Sequence, residues 1–362
     1  MSLFKRGIVA IALTVSLVDS GLAIAQQAQP ARPPAPAAAP ATPAPAPVPQ
    51  SQAPLGDPQG VFYFVTENDL FGKDNTDKHY SNGLRFGWLS ADSGGPEFLW
   101  DLGYYMPLID TQARRRMGFA LGHNLYTPQD KLRTDRIFND RPYGAWLYAG
   151  LAFQSQSDTQ LNTVELDLGV VGPSALGRAV QNNWHGLTGV DEARGWDNQI
   201  EDEPGVALVF ERKWRYLAET AGGFGIDVVP HVAGSIGNVF TYGGAGLTFR
   251  IGDDISVDFG PPRIRPALPG SASFDKPLDR LAWYLFAGAE ARAVAHDIFL
   301  DGNTFDSKQS IGKRPLVADV QAGLAIVFRQ TRISYTQVWR TKEFDGQNKP
   351  DYFGSFSITS KF

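Results

Sequence analysis

Oxygen-bearing side chains crowd a short loop between two apolar segments in the stretch FVTENDLFGKDNTDKHYSNGLRFGW, residues 64–88. Asn68 and Asp69 stand where the first apolar segment ends, and Ser81 and Asn82 stand where the second begins. Carboxylate and amide oxygens are the ligands that hard cations such as calcium prefer. Asn and Asp are also ordinary turn formers, so this composition allows a cation site without requiring one.

A glutamine and a histidine with helical spacing form the second group that can do chemistry. Residues 174–189, SALGRAVQNNWHGLTG, have the periodicity of a short amphipathic helix that is capped by Ser174 and ends at Gly189. Gln181 and His185 are one turn apart and project from one face of this helix. The apolar stripe, which we expect to pack against the rest of the protein, consists of Leu176, Val180, Trp184 and Leu187. The polar face then either meets solvent, as is usual for a lone helical histidine, or presents Gln181 and His185 to a neighbouring segment.

Strands are the elements that must position both groups, because polar and apolar residues alternate through most of the chain. In residues 351–362, DYFGSFSITSKF, the aromatic and aliphatic side chains fall mainly on even positions, and the odd positions from 355 onward hold Ser, Thr and Lys. The same alternation recurs in residues 162–171, 283–296 and 315–328. Such a period of two predicts strands with one apolar and one polar face.

Two all-β architectures fit strands of this kind. A soluble sandwich turns its apolar faces inward, whereas a transmembrane barrel turns them outward to lipid and keeps a polar interior. Many segments reach the roughly nine to eleven residues of a membrane-spanning strand. The chain contains no cysteine, and Phe362 closes the last alternating strand. These features favour an antiparallel up-and-down transmembrane β-barrel.

The N-terminal residues predict secretion followed by a tether. Lys5 and Arg6 precede an apolar run at 7–18 and an A-x-A cleavage site at 23–25, so residues 1–25 are expected to form a signal peptide. Residues 26–55 are rich in Ala and Pro and are expected to form a disordered, semi-rigid tether. Residues 56–362 would be the outer-membrane barrel.

Composition excludes several functions. The net charge is -5 and no basic block stands out, so nucleic-acid binding is not expected. After the signal peptide no run of eighteen apolar residues occurs, which argues against a transmembrane helix. Without cysteine, neither a disulfide nor a thiolate nucleophile is available.

Twelve strands are predicted, and an even number returns both termini to one side of the membrane. Their bounds are 60–68, 79–90, 114–124, 141–155, 160–171, 204–216, 223–235, 238–252, 281–295, 314–328, 331–342 and 351–362. If that side is the periplasm, the first loop and the long loop 172–203 both face outward. The predicted helix would then lie at the same rim as Asn68 and Ser81.

Eight motifs in order along residues 61–362 resemble the lipid A 3'-O-deacylase family of outer-membrane enzymes. They are TENDLFG with DKHYSNGLRFGW, GHNLYTPQD, NDRPYGAWLYAG, VVGPSALGRAVQNNWHGLTG, GWDNQIEDEPG, PPRIRPALPG, FLDGNTF and FGSFSITSKF. The resemblance implies a twelve-stranded barrel with its site between the wall and a helix from an outward loop. It also implies calcium-dependent removal of the 3'-acyloxyacyl group of lipid A in the outer leaflet.

The resemblance further implies roles for individual residues. His185 would activate water, with Gln181 one turn before it, and calcium would stabilise the oxyanion. Asn68 and Asp69 match the pair after the first strand, and Ser81 matches the hydroxyl residue of the motif that follows. Basic residues of the second outward loop are expected to meet lipid A phosphates, and the candidates are Lys131, Arg133 and Arg136.

The chemistry of these residues agrees with such roles. A neutral histidine is the usual proton acceptor near neutral pH, and a hard cation held by Asp69 and Asn68 can stabilise developing negative charge. Several flexible oxygen ligands favour calcium over magnesium, and the lack of cysteine and clustered histidine disfavours zinc.

Other functions remain open at this stage. A phospholipase using Ser and His fits the same compartment, although no nucleophile-elbow sequence is present. A passive channel or a barrel that has lost catalysis also fits, although twelve strands leave only a narrow lumen. We expect lipopolysaccharide as the substrate, a monomer in the bacterial outer membrane, and a site that faces outward.

Overall fold

The computed structural model describes residues 57–71, 78–104, 109–110, 113–267, 271–274 and 278–362. The predicted signal peptide and tether, residues 1–55, lie outside these ranges, as does the middle of the first loop, residues 72–77. Within the described residues, no helix is long and apolar enough to cross a membrane.

Antiparallel strands form one closed sheet in which strands pair with their neighbours in sequence, except that β6 and β7 both pair with β8. They are β1 (Val61–Asn68), β2 (His79–Leu89), β3 (Arg114–Thr127), β4 (Gly144–Gln156), β5 (Gln160–Val171), β6 (Glu203–Trp214), β7 (Tyr216–Glu219), β8 (Phe224–Gly237), β9 (Phe240–Asp253), β10 (Leu278–Asp297), β11 (Leu316–Arg329), β12 (Thr331–Arg340) and β13 (Asp351–Lys361). The first and last strands pair with each other, which closes a barrel.

The segment predicted as a continuous strand at 204–216 is interrupted at Arg215. β6 pairs with β8 as far as Lys213, and β7 continues the pairing with β8 from Tyr216. The Arg215 guanidinium turns inward, where Nη1 donates to the carbonyl oxygens of Ser256 at 2.6 Å and Asp258 at 3.0 Å. Because β6 and β7 are two halves of one wall strand, the barrel has twelve wall strands, and the predicted fold is confirmed.

The two faces of the wall differ as a membrane barrel requires. Outward side chains are large and apolar, and Phe86 and Leu121 are 58% and 62% exposed. Inward positions carry buried charged residues such as Glu165 and Arg250. The apolar parity therefore faces outward, which is the arrangement expected when lipid surrounds the wall.

In the described parts of the connections lie three short α-helices. They are α1 (Glu97–Tyr104) between β2 and β3, α2 (Gly177–Thr188) between β5 and β6, and α3 (Ile298–Asp301) after β10. The rim at which β1 ends and β2 begins is called the upper rim below. The β5–β6 connection reaches the same rim, so α2 lies at the end of the barrel that carries Asn68, as predicted.

Main chain, and not only side chains, fills the lumen. The connection from β9 to β10, here called the luminal segment (residues 254–267 and 271–274), binds the inner wall through buried charges. Arg265 donates to Glu211 Oε1 at 2.6 Å and to Glu165 Oε2 at 2.5 Å. Asp258 accepts from Arg332 Nη1 at 2.5 Å and also pairs with Arg250. The sequence analysis predicted a narrow lumen but not this insertion.

The Asp258 carboxylate should contribute strongly to the stability of the folded barrel, because it neutralises the fully buried guanidinium groups of Arg250 and Arg332. We expect Asp258→Asn to destabilise the folded barrel by about 3–5 kcal/mol, the usual result of removing one partner of a buried ion pair. The measurement is the urea concentration at which the heat-modifiable folded band disappears from a gel.

A matched control uses the neighbouring aspartate. Asp254 pairs with Arg280 at 2.7 Å, but that guanidinium is 52% exposed, so Asp254→Asn should cost no more than about 1 kcal/mol. Equal effects of the two substitutions would contradict the stabilising role assigned to the luminal segment.

Candidate active site

Polar residues of three adjacent strands meet on the outer surface of the wall at the upper rim. Asn68 ends β1 directly opposite Asn82 of β2, and residues directly opposite each other share a face of the sheet. Ser81 occupies a bulge of β2 against β3, and its Oγ lies 2.5 Å from Thr127 Oγ1. The structure thus brings Asn68 and Ser81 together, as predicted.

Asp69 begins a short helical turn immediately after β1. Its carboxylate Oδ2 accepts a hydrogen bond from the backbone N–H of Lys78, and the side chain is 6% exposed. This bond joins the two ends of the first loop, so the carboxylate is held at the rim beside Asn68.

Gln181 and His185 both lie on the buried face of α2. Their exposures are only 4% and 3%, so this polar face does not meet solvent. Trp196 Nε1 donates to Gln181 Oε1 at 2.9 Å, which fixes the glutamine side chain. Gly189, with φ at 72°, ends the helix as predicted.

A small apolar cluster seats α2 on the outer surface of β3 and β4. Trp196 packs on Tyr143 with ring centroids 4.9 Å apart, and both rings belong to one buried cluster with Leu125 and Ala145 of these strands. Gly177 approaches Ala145 and Trp196 so closely that a Cβ would not fit. The helix therefore lies over β4, two strands from β2, which carries Ser81 and Asn82.

A histidine of the wall anchors the segment that precedes α2. The His123 ring shares the outward parity of Leu121 on β3, and its Nε2 lies 2.7 Å from the carbonyl oxygen of Ala175. Ser174 instead bonds Asp202 at 2.7 Å. The predicted capping by Ser174 is therefore wrong, because α2 begins after Leu176, whose φ is 62°.

The predicted orientation of the apolar stripe is also wrong. Leu176, Trp184 and Leu187 are 56%, 51% and 83% exposed. The expected packing of Trp184 against the wall is therefore not found. The reason is physical: the outer surface of a membrane barrel offers polar partners only at its rim, and the exposed side of α2 belongs to the same apolar exterior as the wall.

The basic residues of the second loop lie against the segment that follows α2. The carbonyl oxygen of Lys131 accepts from Arg194 N at 2.8 Å and from Tyr143 Oη at 3.0 Å. Arg133 is exposed and pairs with Asp135, whose hydrogen bond raises the pKa of the guanidinium. Arg136 stacks on the Phe138 ring at 4.7 Å. The loop thus places three cationic residues near the segment that follows α2.

The donor set at the rim suits calcium better than zinc. Among the described residues, no three histidine, aspartate or glutamate side chains converge as a metal site. Calcium also takes amide and carbonyl oxygens and water, and the rim offers the Asp69 carboxylate and the Asn68 amide. Asn82 Oδ1 is buried, and in the described part of the chain no donor reaches it. Asn82 is a ligand candidate to which the sequence analysis gave no role.

The luminal segment supports this rim from inside the barrel. Glu67, the residue before Asn68, pairs with Arg263 and accepts from the backbone N–H of Ile264 at 3.2 Å. Arg263 Nη1 also donates to Gln321 Oε1 at 2.9 Å. The end of β1 is therefore held on both sides of the wall.

Comparison with known proteins gives a family match and matches to solved structures. A family model described as outer membrane protein LpxR matches residues 24–362. The structure of LpxR from Salmonella typhimurium superposes with a TM-score of 0.68 at 23% identity, covering 83% of this chain and 100% of that one. The β domain of the Bordetella autotransporter BrkA gives a TM-score of 0.39 at 12% identity, covering 85% of this chain and 98% of that one. No curated protein matches the sequence.

Proposed function

The chain belongs to the outer membrane protein LpxR family, and from this premise we propose that it is a calcium-dependent ester hydrolase that removes the 3'-acyloxyacyl group of lipid A. The observation that carries the proposal is the burial of Gln181 and His185 on the wall side of α2, at the same rim and on the same outer surface as Asn68 and Ser81. A base and a set of oxygen ligands on the lipid side of a barrel suit a substrate that stays in the membrane.

The proposed mechanism uses the residues of this chain as follows. The His185 imidazole accepts the proton of the attacking water, the role in which a neutral histidine commonly acts near neutral pH. Gln181, fixed by Trp196, orients that water or the imidazole. Asp69 and Asn68 would hold calcium, which when bound supplies positive charge for the developing oxyanion.

The outer wall offers a path for the acyl chains below the site. A shallow apolar groove of about 570 Å³ follows the wall, and its lining includes Phe64, Phe86, Trp88, Phe119 and Leu121. Phe64 shares the face of Asn68 and lies four residues below it on β1, roughly 13 Å away along the strand. We propose that acyl chains remain in this region of the outer leaflet while the headgroup reaches the rim and its phosphates meet Lys131, Arg133 and Arg136.

Purified protein and defined lipids test the reaction class. We expect mixed micelles of lipid A, calcium and the protein to yield a product that lacks the 3'-acyloxyacyl unit, identified by mass spectrometry with fragmentation. Release of fatty acid from phospholipid vesicles, with lipid A unchanged, would instead identify a phospholipase.

The ion pair below β1 gives a sharper prediction about positioning. Arg263→Gln should lower kcat and raise the calcium concentration for half-maximal rate, because Glu67 would lose the partner that holds the end of β1. We expect each quantity to change by about tenfold, since small misplacements of catalytic groups cost up to about a hundredfold in rate. Calcium titration of the initial rate measures both effects.

Arg265→Gln is the matched control. Arg265 lies two residues further along the luminal segment but pairs with Glu165 and Glu211 of β5 and β6, away from β1. It should lower stability while leaving kcat and the calcium dependence nearly unchanged. If both variants changed the calcium dependence equally, the effect would be loss of the luminal segment as a whole and not positioning of β1.

A further inference from the structure

The outward face of α2 is almost wholly apolar. Leu187, Leu176 and Trp184 are more than half exposed, and Val180 is 36% exposed. Ala179 and Gly186 are exposed on the same face, and Asn183 is the one polar side chain among them. An apolar face of this size on a loop helix is unusual in water, where such patches mark binding surfaces.

This face lies next to the apolar exterior of the wall. Gly177 of α2 contacts Ala145 of β4. Two residues further along β4, Leu147 is 38% exposed, and Leu168 of the adjacent strand β5 is 50% exposed. Helix and wall therefore present one surface to whatever surrounds the barrel, and for a member of an outer-membrane family that surrounding is lipid.

The opposite edge of α2 is polar. Arg178 pairs with Asp197, and their side chains are 49% and 82% exposed. An interfacial helix has this division, with charged groups toward the headgroups and large apolar groups toward the acyl chains. Trp184 lies near the boundary between the two faces, and tryptophan is enriched where membrane meets water.

We infer that α2 is an interfacial helix whose outward face (Leu176, Val180, Trp184 and Leu187) lies among the acyl chains of the outer leaflet. The wall and the leaflet then enclose α2 from two sides, and its buried face holds Gln181 and His185 against the barrel at the level of the headgroups. Lipids would reach these residues sideways from the membrane and not from the aqueous phase. The inference rests on the membrane location of the family and not on the proposed reaction.

Single-cysteine labelling tests the inference without any activity assay. The native chain has no cysteine, so Leu187→Cys, Val180→Cys and Asp197→Cys each carry one nitroxide label. The full chain is reconstituted in phospholipid vesicles, and collisions of the label with dissolved oxygen and with a water-soluble nickel chelate are compared. Phe86→Cys, on the exposed wall, reports the value for a lipid-facing site.

The labels at 187 and 180 should behave like the label at 86, with high oxygen and low nickel accessibility, whereas the label at 197 should show the reverse. Nickel accessibility at 187 equal to that at 197 would overturn the inference. Dipolar broadening between labels at 187 would overturn it as well, because a second copy of the chain would then cover this face.

A functional comparison separates this inference from the proposed reaction. Leu187→Asn should raise the apparent KM for lipid A in bilayers by about tenfold, the scale of losing one buried leucine, and leave hydrolysis in detergent micelles unchanged. Equal loss in both settings would show that Leu187 acts on folding or chemistry. If no variant hydrolyses lipid A, the proposed function fails, while the labelling result still decides the position of α2.

Discussion

Replacement of His185 by alanine is expected to lower the rate of lipid A deacylation by roughly 10²- to 10⁴-fold, the usual contribution of a general base. The side chain is 3% exposed and lies on the wall side of α2, so no solvent-exposed group of the helix can take its place. The initial rate is measured by mass spectrometry of the product at saturating calcium. Folding is measured by the heat-modifiable band, which should be unchanged.

Asn183→Ala is the control for this substitution. Asn183 is on the same helix but on its exposed face, so the variant alters α2 without touching the wall side and should keep full activity. A His185→Ala protein that retains more than about a tenth of the rate would remove His185 from the mechanism.

Removal of calcium is expected to have the second large effect. Excess chelator should stop turnover and added calcium should restore it, because the developing oxyanion would otherwise have no cation beside it. Asp69→Asn should shift the calcium concentration for half-maximal rate upward by about tenfold or more, since a neutral amide replaces a carboxylate ligand. The folded fraction should change little, because the hydrogen bond from Lys78 N to Asp69 joins the two ends of the first loop and not two wall strands.

Asp202→Asn provides the matched carboxylate. Asp202 lies in the β5–β6 connection at the same rim, where it bonds Ser174, and its substitution should leave the calcium dependence unchanged. Full activity in excess chelator would exclude a cation from the reaction. An unchanged calcium requirement in Asp69→Asn would assign the ion to other ligands.

The barrel could be predicted from the sequence because each membrane-spanning strand shows, on its own, the alternation of apolar and polar residues that contact with lipid requires. Every second residue of strands such as β13 must be apolar to face the membrane, whatever its partner strand. The luminal segment has no such local signature. The partners of Arg263 and Arg265 are Glu67 and Glu165, which lie 196 and 100 positions earlier in the chain. Only closure of the barrel brings these residues together.

The helix shows the same limit in another form. Its periodicity indicates that Gln181 and His185 share a face, but not which face is buried. That choice depends on the solvent, because an apolar stripe such as Trp184 and Leu187 turns inward in water and outward in lipid. The environment of the helix, and not its own sequence pattern, determines which face is buried.

The residue types of the candidate site were predicted from the sequence, but the residues that hold them in place were not. Asn68 and Ser81 were found because oxygen-rich residues flank the same loop. Asn82 adjoins Ser81 in the sequence, but its buried amide oxygen becomes noticeable only beside Asn68. Trp196 carries no sequence signal for its bond to Gln181, since fifteen residues separate them.

A structure of the protein crystallised with calcium and refined with its ordered waters is the most direct test of the account. The account predicts an ion bound by Asp69 and Asn68 and a water beside that ion within hydrogen-bond reach, about 2.6–3.2 Å, of the His185 imidazole. An ion held elsewhere, or an imidazole too far away for a single water to connect it to Asn68 and Asp69, would contradict it.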